Sequence, residues 1–161
     1  MTTTIRFVTR GDFAAWLPLW EGYNRFYGRF DATALSEEIT RMTWSRLFDA
    51  YEPVWALVAE DITRENKGRL VGLAHYMFHR STITIEPTCY LQDLFTAEAA
   101  RGKGVGRKLI EAVYDQARLA GVVNVYWRTH ASNATARRLY DAVAQDSGFV
   151  VYKKCLMNGT S

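Results

Sequence analysis

Residues 101–108, RGKGVGRK, set four cations and three glycines into eight positions directly before an apolar-periodic run. Gly102, Gly104 and Gly106 lack a Cβ, so successive backbone N–H groups there can close around one anion. A helix that starts at this point adds unpaired amides and the positive end of its dipole. Arg101, Lys103, Arg107 and Lys108 add attraction, and a pyrophosphate is the natural guest. The G-x-G-x-G spacing departs from the dinucleotide fingerprint, because position 107 is Arg. It departs from the Walker pattern as well. On spacing alone, an anion site and a solvated basic turn both stay open.

The elements around the stretch follow from periodicity. TIRFVT (3–8) reads as a strand. Residues 11–30 read as a helix with Asp12 as its cap, apolar at Phe13, Trp16, Leu17, Trp20, Tyr23 and Tyr27, and kinked or delayed by Pro18. A second helix covers 34–50, capped by Ser36. Strands are expected at 53–61 and 68–81, as a hairpin, and at 87–97. A helix over about 104–120 keeps Val105, Leu109, Ile110, Val113 and Ala117 on one face and stops at Gly121. Strand 122–129, helix 132–145 and strand 148–157 complete the order β-α-α-β-β-β-α-β-α-β. Strand 87–97, the helix and strand 122–129 form one crossover unit, hence a parallel pair. The expected fold is α+β: a mixed, mostly antiparallel sheet of six or seven strands with helices on both faces.

The 161 residues suit one domain, 1–161, with a real core. No apolar run reaches the roughly 18 residues of a membrane span, and the start lacks the apolar core of a secretory signal. Cys89 and Cys155 sit in no CxxC pair and read as buried thiols in a reducing, cytoplasmic setting. A net charge of +3 is too small to argue for nucleic acid. Residues 35–65 carry seven acids against three bases, a balance of −4, which suits a cationic substrate or a solvated surface. His75 and His79 are four apart, as zinc on a helix would want, but they fall on a strand with no third ligand nearby, so no metal is expected.

RGKGVG fits the Q/R-x-x-G-x-G/A motif of the GCN5-related N-acetyltransferase (GNAT) superfamily through Arg101, Gly104 and Gly106. SNATARRLYDAVAQDSGF resembles that superfamily's second motif, with Asn133 opening a helix, Leu139-Tyr140, and a Gly-Phe turn at 148–149. The element order agrees over essentially the whole chain. The stretch LIEAVYDQARLAGVVNVYWRTHASNATARRLY is most similar to the yeast histone and polyamine acetyltransferase branch.

The resemblance implies acetyl-CoA as cosubstrate, bound where strands 87–97 and 122–129 splay apart. Its pantetheine arm would pair with backbone near Leu94, Phe95 and Thr96. Arg101, Gly102, Lys103, Gly104, Val105, Gly106 and Arg107 would hold the pyrophosphate. Asn133 would lie near the pantetheine, and Arg137 or Arg138 would meet the 3′-phosphate or stay solvated. A backbone N–H near Leu94 would meet the oxyanion. Tyr140 occupies the family's place for the donor to the departing thiolate, and a phenol of pKa about 10 suits that task.

An attacking amine must be neutral. With a lysine-like pKa of about 10.4, roughly one in 2,500 is neutral at pH 7, a penalty of about 4.6 kcal/mol. Polyamine acetyltransferases often place Glu before the Asp of this strand, whereas this chain has Gln92 before Asp93. Asp93 points to the opposite face from Gln92 in a regular strand, and a bulge would change that. Asp93, Glu21 or His130 through water are the alternatives for the base. Glu21, Tyr27 and Gln92 are expected to face the amine. The aromatics Trp16, Trp20, Tyr23, Phe26, Tyr27, Phe30, Trp44 and Trp55 either pack as core or offer faces to a cation. The acceptor is a polyamine, a small amino metabolite or a lysine side chain. A non-catalytic acyl-CoA-binding sensor is the rival reading. Dimers are frequent in similar enzymes, and the aromatic-rich helices or the last strand would supply a homodimer surface.

Overall fold

Apolar residues alternate at Leu57, Ala59, Leu73 and Leu91, and recur at threes and fours along Trp16, Leu19, Trp20 and Tyr23. Strands that bury both faces and helices that bury one result. The computed structural model describes residues 2–156. By internal contacts it comprises two units, one ending at Arg128 and one beginning at Thr129.

The first unit holds one sheet in the order β1 (Thr3–Phe7), β2 (Val54–Asp61), β3 (Arg69–His79), β4 (Thr88–Thr96), β5 (Val125–Tyr126). The first three pairings are antiparallel, and β4–β5 is parallel, as a crossover demands. On one face α1 (Phe13–Phe26) seats Trp16, Leu19, Trp20 and Tyr23 on Ala56, Val58 and Leu73. α2 (Glu37–Arg46) joins that face by packing Trp44 against Trp16, the rings tilted at 47° with centroids 4.9 Å apart. α3 (Val105–Leu119) covers the other face; there Gly72 comes so near that an added Cβ would meet Leu109 Cδ1 at 3.0 Å. Trp16 is fully buried, and truncating such a ring to Ala costs about 3–5 kcal/mol.

Several local expectations change. α1 runs unbroken through Pro18. Asp12 precedes α1 without capping it, because its carboxylate accepts from Arg6 Nη1 at 2.7 Å and from Thr9 N at 2.7 Å. Those donors hold the Asp12 carboxyl down at about 2, the Arg6 hydrogen bond first. Ser36 does cap α2, its Oγ accepting from Ile39 N at 3.2 Å. The acids of 35–65 are mostly turned to their own neighbourhood: Glu37 pairs with Arg41, Glu52 with Arg46, Glu60 with Arg6, and Asp61 accepts from Thr63.

The expected strand 122–129 pairs only at Val125 and Tyr126. Val122 N still bonds to Ala117 O while the chain leaves α3, and Trp127 turns to the Tyr114 ring. In the second unit, the expected helix 132–145 is α4 (Ala134–Tyr140). The expected strand 148–157 is absent over 148–156, and residue 157 lies outside the described residues. Phe149 and Tyr152 are more than nine-tenths exposed there. Alternating apolar residues report a readiness to form a strand, and a strand also needs a partner edge. Among the described residues the sheet therefore has five strands rather than six or seven. Cys89 is buried and Cys155 exposed, which corrects the expectation of two buried thiols.

Candidate active site

β4 pairs along β3 until its middle, where the register shifts. His75 faces Asp93 but Tyr76 faces Leu91, so Gln92 is the extra residue of a bulge. The bulge resets the alternation. Leu91 follows Tyr76 onto one face, while Asp93 follows His75 onto the face under α1. Gln92 is left exposed, and Asp93 is 6% exposed.

Under α1, Asp93 belongs to a chain of polar groups. Trp16 Nε1–H donates to His75 Nε2 at 3.0 Å. An indole is a donor only, so His75 carries its hydrogen on Nδ1 and donates it to Asp93 Oδ2, also at 3.0 Å. The Tyr23 hydroxyl is hydrogen-bonded to Asp93 as well. Burial first, and the Asp93 charge second, push the Tyr23 phenol far above its ordinary range. Tyr27 is raised for the same two reasons, and the Arg29 charge opposes the rise at both rings. Two donors thus fix a buried carboxylate and leave it further acceptor sites.

The parallel pairing with β5 ends at Tyr90–Tyr126. Beyond it, β4 keeps β3 on one side while its other edge, over Leu94, Phe95 and Thr96, is not taken by β5. That edge runs by a 3-10 turn, Glu98–Ala100, into the glycine stretch. Gly102 (φ 72°) and Gly104 (φ 78°) are left-handed, a conformation that strains any residue with a Cβ, and their missing Cβ positions face open space. The α3 ladder starts with Lys108 N on Gly104 O at 3.1 Å, and no side chain caps the helix. The amides of Val105, Gly106 and Arg107 precede the ladder. This open, uncapped cradle fits a diphosphate. Arg101 lies over the Phe95 ring and reaches Thr96 O, and Lys103 folds onto Ala99 O. Arg107 stands 3.9 Å from Glu111, while Lys108 turns away to Thr3.

A cleft of about 530 Å³ lies between α1 and α2, with Trp20, Glu21, Asn24, Arg29 and Thr40 among its walls. Glu21 is exposed in it, and Tyr27 is 42% exposed. In the second unit, Asn133 caps α4: its Oδ1 accepts from Ala136 N at 3.3 Å and its Nδ2 donates to Thr129. Arg137 reaches Asp146 at 3.6 Å, Arg138 is exposed, and Tyr140 is half-buried. His130 is exposed, with Nδ1 2.6 Å from Ser132 Oγ. Cys89 is no nucleophile, since burial pushes its thiol up to about 12.

Sequence reasoning missed Trp16, His75, Tyr23 and Arg29 as parts of one site. The signal available for His75 was its place inside RLVGLAHYMF, where a polar group in an apolar strand demands a partner. His79 goes elsewhere, to the Tyr126 hydroxyl.

The acetyltransferase (GNAT) family model matches residues 16–144. The D-amino-acid N-acetyltransferase HPA3 of Saccharomyces cerevisiae is 38% identical over 143 residues, covering 89% of this chain and 84% of that protein. Among solved structures, a probable acetyltransferase superposes with a TM-score of 0.81 at 22% identity, covering 97% of this chain and 99% of the other. AAC(6')-Iy, solved in complex with the bisubstrate analogue CoA-S-monomethyl-acetylneamine, gives 0.78 at 16% identity, covering 96% and 100%. The chain belongs to the acetyltransferase (GNAT) family and is an acetyl-CoA-dependent N-acetyltransferase.

Proposed function

We propose that the protein transfers the acetyl group of acetyl-CoA directly to the primary amine of a small amino-bearing metabolite, an α-amino acid first among them. The observation that carries this is Asp93, a buried carboxylate fixed by His75 and Tyr23 beside the open edge of β4. At pH 7 an alkylamine arrives protonated, and the neutral form costs about 4.6 kcal/mol at a pKa of about 10.4. Asp93 accepts that proton, which Gln92 cannot do. The neutral nitrogen attacks the thioester carbonyl, and a β4 amide near Leu94 meets the oxyanion. Amides of residues 101–107 hold the diphosphate, and the backbone of Leu94, Phe95 and Thr96 pairs with the pantetheine arm. Tyr140, on the strength of its motif alone, gives its proton to the leaving thiolate, and the second proton of the attacking nitrogen leaves the tetrahedral intermediate to restore the phenol. Asn133 and Arg137 keep their motif-based assignment to the cofactor. The choice of an α-amino acid is supported by the name of the yeast relative.

Thiol release from acetyl-CoA is the test, read with polyamines, amino acids and lysine peptides. Turnover with at least one amine, fastest among amino acids, is expected. Thiol release that no amine accelerates would refute the proposal.

A further inference from the structure

Arg29 follows the C-terminus of α1. Gly28 there is left-handed (φ 76°), and Arg29 N bonds back to Asn24 O at 3.0 Å, so the chain reverses over the last helical turn. The reversal lays the Arg29 guanidinium over two rings, 5.7 Å from the Tyr23 centroid and 5.4 Å from that of Tyr27. Its Nε–H donates to Asn24 Oδ1 at 2.7 Å. Asn24 is itself buried and tied by Nδ2 to Trp20 O at 2.8 Å, so it is a rigid support. The guanidinium is thereby oriented through one nitrogen, and among the described residues no hydrogen bond engages its two terminal nitrogens. Among the described residues no carboxylate pairs with it. It borders the cleft between α1 and α2 on one side. On the other it shares Tyr23 and Tyr27 with Asp93, whose charge acts on both rings against its own.

A fixed positive fork and a fixed negative base around one pair of tyrosines define a dipolar subsite. A planar guanidinium recognises a carboxylate through two parallel hydrogen bonds. We propose that Arg29 is the specificity-determining residue that binds the α-carboxylate of the acceptor while Asp93 takes the proton of its ammonium. The inference rests on the acetyl-transfer reading above and assigns a residue to its choice of substrate. Amines that carry only positive charge meet Arg29 as a like charge, so it selects against polyamines as well as for amino acids.

The test compares kcat/KM for an α-amino acid, its carboxamide and a diamine, in the wild type, Arg29→Gln and Arg29→Lys. A charge-assisted pair of this kind is worth roughly 10- to 100-fold. The wild-type preference for acid over amide is expected to be of that size, to collapse towards unity in Arg29→Gln, and to recover in part in Arg29→Lys. The diamine is expected to gain on the acid in Arg29→Gln. An acid-to-amide ratio unchanged by Arg29→Gln overturns the assignment, even where amines are acetylated well. Should Arg29→Gln fold poorly by circular dichroism, the ratio in Arg29→Lys and in the wild type decides. No preference for the acid in the wild type also overturns it. A wild type that acetylates no amine refutes the acetyl-transfer reading itself, a separate result.

Discussion

Replacing Asp93 by asparagine removes a base and little else. The two side chains have the same shape, and the groups around them can be satisfied again. In Asp93→Asn the amide oxygen accepts from His75 Nδ1–H as the carboxylate does, while the amide nitrogen donates to the Tyr23 oxygen, whose hydrogen is free to rotate. The fold should therefore survive with a loss of about 1 kcal/mol or less. The chemistry should not. Without a proton acceptor the enzyme must capture the neutral amine from solution, a fraction of roughly one in 2,500 at pH 7 for a pKa of about 10.4. General-base catalysis contributes some 10²–10⁴-fold, so a fall in kcat/KM of about 10³ is expected at pH 7. The loss should shrink tenfold per pH unit as the amine titrates in bulk, and vanish near its pKa. The assay is initial-rate thiol release over pH 7–10 with a lysine-like amine. Activity of Asp93→Asn within threefold of wild type at pH 7 would refute the assignment. So would a large defect that stays constant as pH rises.

Other consequences follow from the same residues. His75→Phe strips Asp93 of one donor and leaves the Trp16 indole N–H without an acceptor; a loss of about 1–3 kcal/mol in urea denaturation is expected, together with a fall in kcat. Asp12, held down at about 2 by Arg6, stabilises the fold above its ordinary carboxylate range, and that contribution is lost as pH falls from about 4 towards 2. Asp12→Asn should therefore lower thermal stability at pH 6 and flatten the acid limb of the stability curve. Tyr140→Phe should lower kcat more than KM, with the defect easing for acyl-thioesters of more acidic thiols; undiminished turnover would remove Tyr140 from proton donation.

The parts of the fold read correctly from sequence are those governed by local periodicity and caps. The apolar face of α3 and Ser36 at the start of α2 each declare themselves within about twenty residues, and the β4–α3–β5 crossover follows from the order of its three elements. What was not legible depends on partners. The bulge at Gln92 exists only in the register of β4 against β3, and no feature of YLQDLF alone announces it. That bulge decides which face Asp93 takes. His75 becomes meaningful only beside Trp16, 59 positions away in the chain. The segment 148–156 has the composition of a strand, and composition does not supply a neighbour. The glycine turn was legible because its demand is on the backbone itself: residues without a Cβ let the chain turn tightly there, and Gly102 and Gly104 do so with left-handed φ.

The central claim is that amides of the turn from β4 into α3 hold the diphosphate of coenzyme A. Calorimetric titration with coenzyme A and with pantetheine, which lacks the diphosphate, tests it most directly, repeated on Gly104→Val. Coenzyme A should bind at least tenfold more tightly than pantetheine to the wild type, and that advantage should disappear in Gly104→Val. Equal affinities for the two ligands in the wild type, or an advantage untouched by the valine, would contradict the account.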